Sequence, residues 1–116
     1  MSHTAKIELQ LTDKETVKQT AKTLGIKTEE GTFSLFSTKE EGIGLFLPGW
    51  KYPAVVKEDG SVAYDNYNGK WGNIQELYKF KNKYAVEKTK KEAKRKGYAV
   101  KEEKIKGKIR LTLTKY

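Results

Sequence analysis

His3 is the single histidine of the chain, and there is no cysteine. A Ser-His-Asp arrangement, a His-based zinc site or a His general base would all depend on that one residue. It lies ahead of the first expected strand, where a surface or terminal capping role accounts for it. The alternative is a metal or anion contact shared with the amine of Ser2 once the initiator methionine is removed. Thiolate catalysis, thiolate metal sites and disulfides are excluded by composition. The paired carboxylates Glu29-Glu30, Glu40-Glu41, Glu58-Asp59 and Glu102-Glu103 are each adjacent in sequence. Adjacent residues of a strand point to opposite faces, so none makes an acid/base pair. Gly42-Ile43-Gly44 lacks the third glycine and following helix of a dinucleotide fingerprint. Glu41 to Phe46 echoes an RNA-recognition strand but fails it, because Glu41 replaces a basic residue and Ile43 and Leu45 replace rings. The sequence therefore points away from an enzyme and implies no cofactor.

Two other constellations carry chemistry. Trp50, Tyr52, Tyr64, Tyr67 and Trp71 fall close together, interleaved with Lys51, Lys57 and Lys70. Rings with lysines between them can stack on bases or receive a partner; the alternative is a small core beneath irregular loops. Tyr67 and Trp71, set among Asn, Gly and Lys, are expected to be exposed. Trp50, Tyr52, Tyr67 and Trp71 are the candidate stacking or partner-binding residues. The second constellation is basic. Lys79, Lys83, Lys90, Lys91, Lys94 and Arg95 lie on one expected helix, and Lys101, Lys108 and Arg110 on the hairpin after it. These are the candidate nucleic-acid contacts. The net charge of +9 favours association with nucleic acid, anionic surfaces or acidic proteins. A merely solvated lysine surface is the alternative.

The long helix, Asn73 to Lys96, is the element that must position those lysines. Asn73 caps it, with Glu76 three residues on, and Gly97 stops it. Its apolar stripe is Ile74, Leu77, Phe80 or Lys81, Tyr84, Ala85, Thr89 and Ala93. Glu87 with Lys91 and Glu92 with Lys96 have favourable spacing, and the remaining charge is expected to lack local compensation. Tyr98 to Tyr116 then alternates around a turn at Lys106-Gly107 that pairs Ile105 with Lys108. Tyr98, Val100, Ile109, Leu111 and Leu113 share one face. Lys101, Glu103, Lys108, Arg110, Thr112 and Thr114 share the other.

Ahead of this, Ala5 to Leu11 alternates as a strand with Ile7, Leu9 and Leu11 inward. Thr12 caps a helix with Glu15 three residues on, a stripe of Val17, Ala21 and Leu24, and a stop at Gly25. A second strand within Ile26 to Thr38 carries Phe33, Leu35 and Phe36, and Lys39 to Gly42 reads as a turn. Gly42 to Leu47 is an apolar strand ended by Pro48-Gly49. Ala54 to Asp65 is a hairpin about Asp59-Gly60, with Val55 opposite Tyr64 and Val56 opposite Ala63. The 116 residues suit one domain spanning 1–116. The expected fold is α+β, an antiparallel sheet with two helices on one face, ferredoxin-like or a variant. No apolar run approaches the ~20 residues of a membrane helix, and no leader pattern precedes the first strand, so a cytoplasmic location without membrane contact is expected.

Several of these stretches together resemble a known family. They are the start Met1-Ser2-His3, the strand Lys6 to Leu11, Thr12-Asp13, Leu24-Gly25, Ile43-Gly44, Asp59-Gly60-Ser61, Tyr84-Ala85, Glu92-Ala93, Gly97-Tyr98 and Gly107 to Leu111. The chain is similar to a small family of unknown function first catalogued as a hypothetical chloroplast reading frame, found also in cyanobacteria, other bacteria and some phages. The matching motifs are caps, turns and core faces; His3, Tyr84 and Trp71 stand out beyond scaffold. Family members tend to be more acidic, with carboxylates on the long helix where this chain has lysines, and the bridge from Pro48 to Pro53 departs from their pattern. The resemblance implies no activity. It implies at most an association with ATPase complexes through neighbouring proteins.

Three functions follow as expectations. The first is a non-enzymatic basic protein that contacts nucleic acid or another polyanion without strong sequence specificity. The second is a protein-interaction adaptor or subunit of a larger complex. The third is a small-molecule or nucleotide sensor with a pocket lined by Trp71 and Tyr84.

Overall fold

The computed structural model describes residues 5–7, 11–106 and 108–115, with side chains for 11–104, 106 and 110–115. Elements form where the hydrophobic period changes. The order is β1 (Ala5–Ile7), α1 (Lys14–Leu24), β2 (Lys27–Ser34), β3 (Lys39–Phe46), β4 (Ala54–Val56), β5 (Val62–Tyr64), a 3-10 turn (Tyr67–Gly69), α2 (Ile74–Arg95), β6 (Tyr98–Ile105) and β7 (Lys108–Lys115). The class is α+β. His3 and Leu9 lie outside the described residues.

The helix ends were legible with one shift. Asn73 caps α2 by accepting the Gln75 N–H, and the backbone turns left-handed at Gly25 and Gly97, φ 71 and 85. The cap of α1 is Asp13 and not Thr12: its Oδ1 accepts the Thr16 N–H at 3.1 Å. Leu24, expected on the buried stripe of α1, is exposed, and Thr16 and Thr20 take its place beside Val17 and Ala21. On α2 the buried set is Leu77, Phe80, Tyr84, Val86 and Ala93. Phe80 wins over Lys81, and Ala85 and Thr89 lie outside.

The strands depart further. Lys39 to Gly42 is the start of β3 and not a turn; the chain reverses at Leu35 to Thr38, where the Leu35 N–H donates to the Thr38 carbonyl at 2.8 Å. The β4–β5 hairpin is offset by one residue from expectation, pairing Val55 with Ala63 and Val56 with Val62. The cause is the turn. Gly60 N–H donates to the Lys57 carbonyl at 3.0 Å, Lys57 N–H to the Ser61 carbonyl at 2.8 Å, and Gly60 has φ 88. That is a three-residue loop ending in a left-handed glycine, where a two-residue turn was expected.

The first five strands form one sheet in the order β1-β5-β4-β3-β2, and β6-β7 form a second. Every strand pair is antiparallel. A ferredoxin-like sheet would place parallel strands side by side through its β-α-β units, so the order here differs from that expectation. The closing hairpin has the expected register, Ile105 opposite Lys108, but stays out of the main sheet. Helix length explains this. At about 1.5 Å per residue, the 22 residues of α2 run roughly 33 Å. Only its first half, through Tyr84, enters the main core. The hairpin folds back along the second half, where Glu102 meets Lys90 at 3.0 Å.

Alternation gives the main sheet two apolar sides. Ile43, Leu45, Ala54, Val56 and Val62 join Val17, Ala21, Leu77, Phe80 and Tyr84 of the helices in one core. Leu35, Val55 and Ala63 form a smaller cluster, with Phe33 and Tyr52 packed against it. The one-residue register offset decides which valine serves which side.

Candidate nucleic-acid interface

The lysines of α2 are largely compensated, contrary to expectation. Lys79 meets Glu76 at 3.3 Å, Lys83 meets Glu87 at 3.2 Å, Lys90 meets Glu102 at 3.0 Å and Arg95 meets Glu92 at 2.7 Å. Lys91 reaches across to Asp13 at 2.8 Å, and Lys101 to Glu103 at 3.4 Å. The expected pairs Glu87–Lys91 and Glu92–Lys96 are replaced by Lys83–Glu87 and Lys88–Glu92. Asp13 and Glu102, which pair with the helix cations Lys91 and Lys90, come from outside the helix, which helical spacing cannot show. Lys94 and the exposed Arg110 have no carboxylate partner among the described residues. The Lys108 side chain lies outside the described residues.

Asp13 ties the two helices together. Its Oδ2 takes both Lys88 and Lys91, at 3.0 and 2.8 Å, while its backbone N–H donates to the Tyr84 hydroxyl at 3.3 Å. The Lys91 ammonium, with help from Lys88 and the Thr16 N–H, holds the Asp13 carboxyl well below the usual carboxylate range. The Lys90 ammonium likewise lowers Glu102. These contacts make a brace, and the cations in it are not free for phosphate without a competitor.

The expected aromatic cluster divides in two. Trp50 belongs to the helix side. It packs on Tyr64, centroids 5.8 Å apart, and its Nε1–H donates to the Asn73 carbonyl at 3.0 Å. Burial raises the Tyr64 hydroxyl above its ordinary value. Trp50 is thus half-buried against the main core. Tyr84 is buried in the main core, whereas Trp71 meets Tyr67, Phe36 and Tyr52.

Tyr52, Tyr67 and Trp71 do meet, and Phe36 joins them. Trp71 has Tyr67 at 4.8 Å, Phe36 at 5.3 Å and Tyr52 at 5.6 Å between centroids. Lys51 Nζ stands 4.6 Å from the Trp71 centroid and 5.6 Å from that of Tyr52, and Lys70 Nζ 4.9 Å from Tyr67. Each exposed cation–π contact of this kind stabilises by about 0.5–1 kcal/mol. Phe36 remains 56% exposed. Tyr67 and Trp71 are half-buried, less open than expected.

The loop that presents Trp71 is held under tension. Tyr67 and Asn68 both take left-handed backbone, φ 46 and 52, unfavourable for side-chain-bearing residues by roughly 1–2 kcal/mol each. Asp65 Oδ1 holds it by accepting the Tyr67 N–H at 3.2 Å, and the Asn66 carbonyl accepts from Gly69 and Trp71 at 3.0 and 2.9 Å. The Oδ2 of this buried Asp65 has no hydrogen-bond partner among the described residues. Such concentrations of strain and unpaired polarity occur at binding loops.

A second ring pair lies on the same side of the sheet. Phe33 meets Phe46 edge-on, centroids 6.0 Å apart, and Lys27 Nζ stands 5.6 Å from the Phe46 centroid. The Phe33 ring lies on Gly44, where a Cβ would come within 2.7 Å of it. Phe33 and Phe36 were expected only as apolar strand residues, and neither they nor Phe46 and Lys27 were among the candidate site residues. The available signal was the alternation of β3, which turns Phe46 away from the core-facing Ile43 and Leu45.

A groove of about 610 Å³ lies between the start of α1, β2–β3 and the β4–β5 loop. Its lining mixes Lys14 and Lys57 with Glu30, Glu41, Glu58 and Asp59, which does not suit a polyanion. Among the described residues no group of three or more His, Asp or Glu is placed to hold a metal, and no helix is long and apolar enough to cross a membrane. Comparison with protein-family models, with curated proteins and with solved structures finds no match.

Proposed function

We propose that this is a small non-enzymatic binding protein for nucleic acid, acting by charge and ring contact with little sequence specificity. The observation that carries the reading is the Trp71 ring group with its own lysines. Lys51 and Lys70 lie on rings and have no carboxylate partner among the described residues. They are cations already held beside π surface, free to meet phosphate. The net charge of +9 supplies long-range attraction. Lysines that neutralise phosphates release counterions, so affinity falls as salt rises. Lys94 and Arg110 extend the positive surface. The braced cations Lys79, Lys83, Lys90, Lys91, Arg95 and Lys101 contribute less, because phosphate must displace a carboxylate from each.

The test is titration of a labelled oligonucleotide at low and at physiological salt, with the wild type and with K51E/K70E. Binding lost in the charge-reversed protein and weakened by salt supports the reading; binding indifferent to both sinks it.

A second reading, a protein-interaction adaptor or subunit, is favoured by one observation: Phe36 is 56% exposed beside Trp71. It predicts a discrete protein partner whose binding survives reversal of Lys51 and Lys70. A cytoplasmic location and kinship with the small family of unknown function belong to the same proposal; the resemblance rests on caps, turns and core faces and adds no chemistry.

A further inference from the structure

We infer that the nucleic acid is single-stranded and runs over the outer side of the five-stranded sheet, between two ring stations. This rests on the reading just given and specifies its ligand. The first station is Trp71 with Phe36 and Tyr67, served by Lys51 and Lys70. The second is Phe46 with Phe33, served by Lys27.

Register places both stations on one side. Lys27 lies opposite Phe46 and Gly44 opposite Val55, so strand alternation turns Lys27, Phe33, Phe46 and Val55 away from the core-facing Ile43, Leu45 and Val56. Phe33 of the second station and Tyr52, which touches Trp71, both pack on the cluster of Leu35, Val55 and Ala63. Both stations thus adjoin the same small core.

The pairing of rings with lysines selects the occupant. An apolar peptide would gain nothing from three ammonium groups standing on the rings it must cover. A stacked base brings its phosphate with it, and each lysine then moves from ring to phosphate. In a duplex the base faces are already stacked, so the rings serve unpaired bases alone. Lys27 also pairs with Glu29 at 3.2 Å, which makes the second station the weaker.

The experiment compares a labelled 20-nucleotide oligothymidylate with a hairpin duplex of the same nucleotide number at one low salt concentration. Proteins are the wild type, F36A, F46A and K51E/K70E. Phe36 and Phe46 are 56% and 37% exposed, so both alanine variants should fold, which circular dichroism checks. Each alanine is expected to weaken the single strand by about tenfold and leave the duplex unchanged. If F36A and F46A keep full affinity while K51E/K70E loses it, the polyanion reading stands and the single-strand path is wrong. An effect at one ring only removes the two-station path. Tighter duplex binding overturns the inference. Binding to neither nucleic acid overturns both, and leaves the exposed rings to a protein partner.

Discussion

The ammonium of Lys51 lies 4.6 Å from the centre of the Trp71 ring, while the Lys51 backbone N–H donates to the Trp71 carbonyl at 2.8 Å. The segment after Pro48 is thus latched twice to the loop before α2. Replacing Lys51 by Gln keeps the backbone latch and removes the charge. The expected result is weaker oligonucleotide binding and a log K against log salt slope shallower by about one. Fold stability should change by less than about 1 kcal/mol, as urea denaturation would show.

Asp13 makes the fold acid-sensitive. Its folded pKa is depressed below the ordinary Asp value, chiefly by Lys91. Between the two values the unfolded chain binds the extra proton, so stability there rises with pH. The contribution is fully present above about pH 4, the unfolded Asp value, and is lost as pH falls from there through the folded value. Asp13→Ala should lose about 1–2 kcal/mol at pH 7, from the cap and the cross-helix pairs. Its deficit against wild type should shrink as denaturation is repeated toward pH 2. A deficit equal at pH 7 and pH 2 would show that the carboxylate charge does not matter.

Gly72 is a packing requirement. A Cβ there would run into the Trp50 indole, whose Nε1–H is committed to the Asn73 carbonyl. Gly72→Ala should destabilise by about 1–3 kcal/mol. In a Trp50→Leu background the same change should cost clearly less. Additive effects in the double-mutant cycle would deny the contact.

The β6–β7 turn is suboptimal. Lys106 has φ 51, a region Asn enters more readily than Lys. Lys106→Asn creates the Asn-Gly sequence that two-residue turns favour. A gain of roughly 0.5–1 kcal/mol is expected, read as a higher urea midpoint with an unchanged slope.

Local signals were legible and long-range ones were not. The caps and stops of α2, and the pairing and register of β6 (Tyr98–Ile105) with β7 (Lys108–Lys115), follow from neighbouring residues, and the structure has them. The Asp59-Gly60 turn was recognised but its length was misjudged by one residue, which puts Val55 on the face of Ala63 and not on that of Tyr64. Lys39 to Gly42 looks polar enough for a turn, yet Glu40 is covered and paired with Lys57 at 3.1 Å, a partner distant in sequence. The same limit applies to the site. The lysines of α2 looked uncompensated because Asp13 and Glu102 lie far along the chain. Tyr67 and Trp71 were found because they are neighbours in sequence. Phe36 and Lys27 were missed because only the folded sheet brings them to rings.

The central claim is that Lys51 and Lys70, held on rings, act as phosphate contacts. The most direct test is the tryptophan fluorescence of the wild type titrated with oligothymidylate across a salt series. The account predicts quenching on binding, an affinity that falls linearly in log K against log salt, and a shallower slope in K51Q. Affinity unchanged between low and physiological salt, or no quenching at any salt, would contradict it.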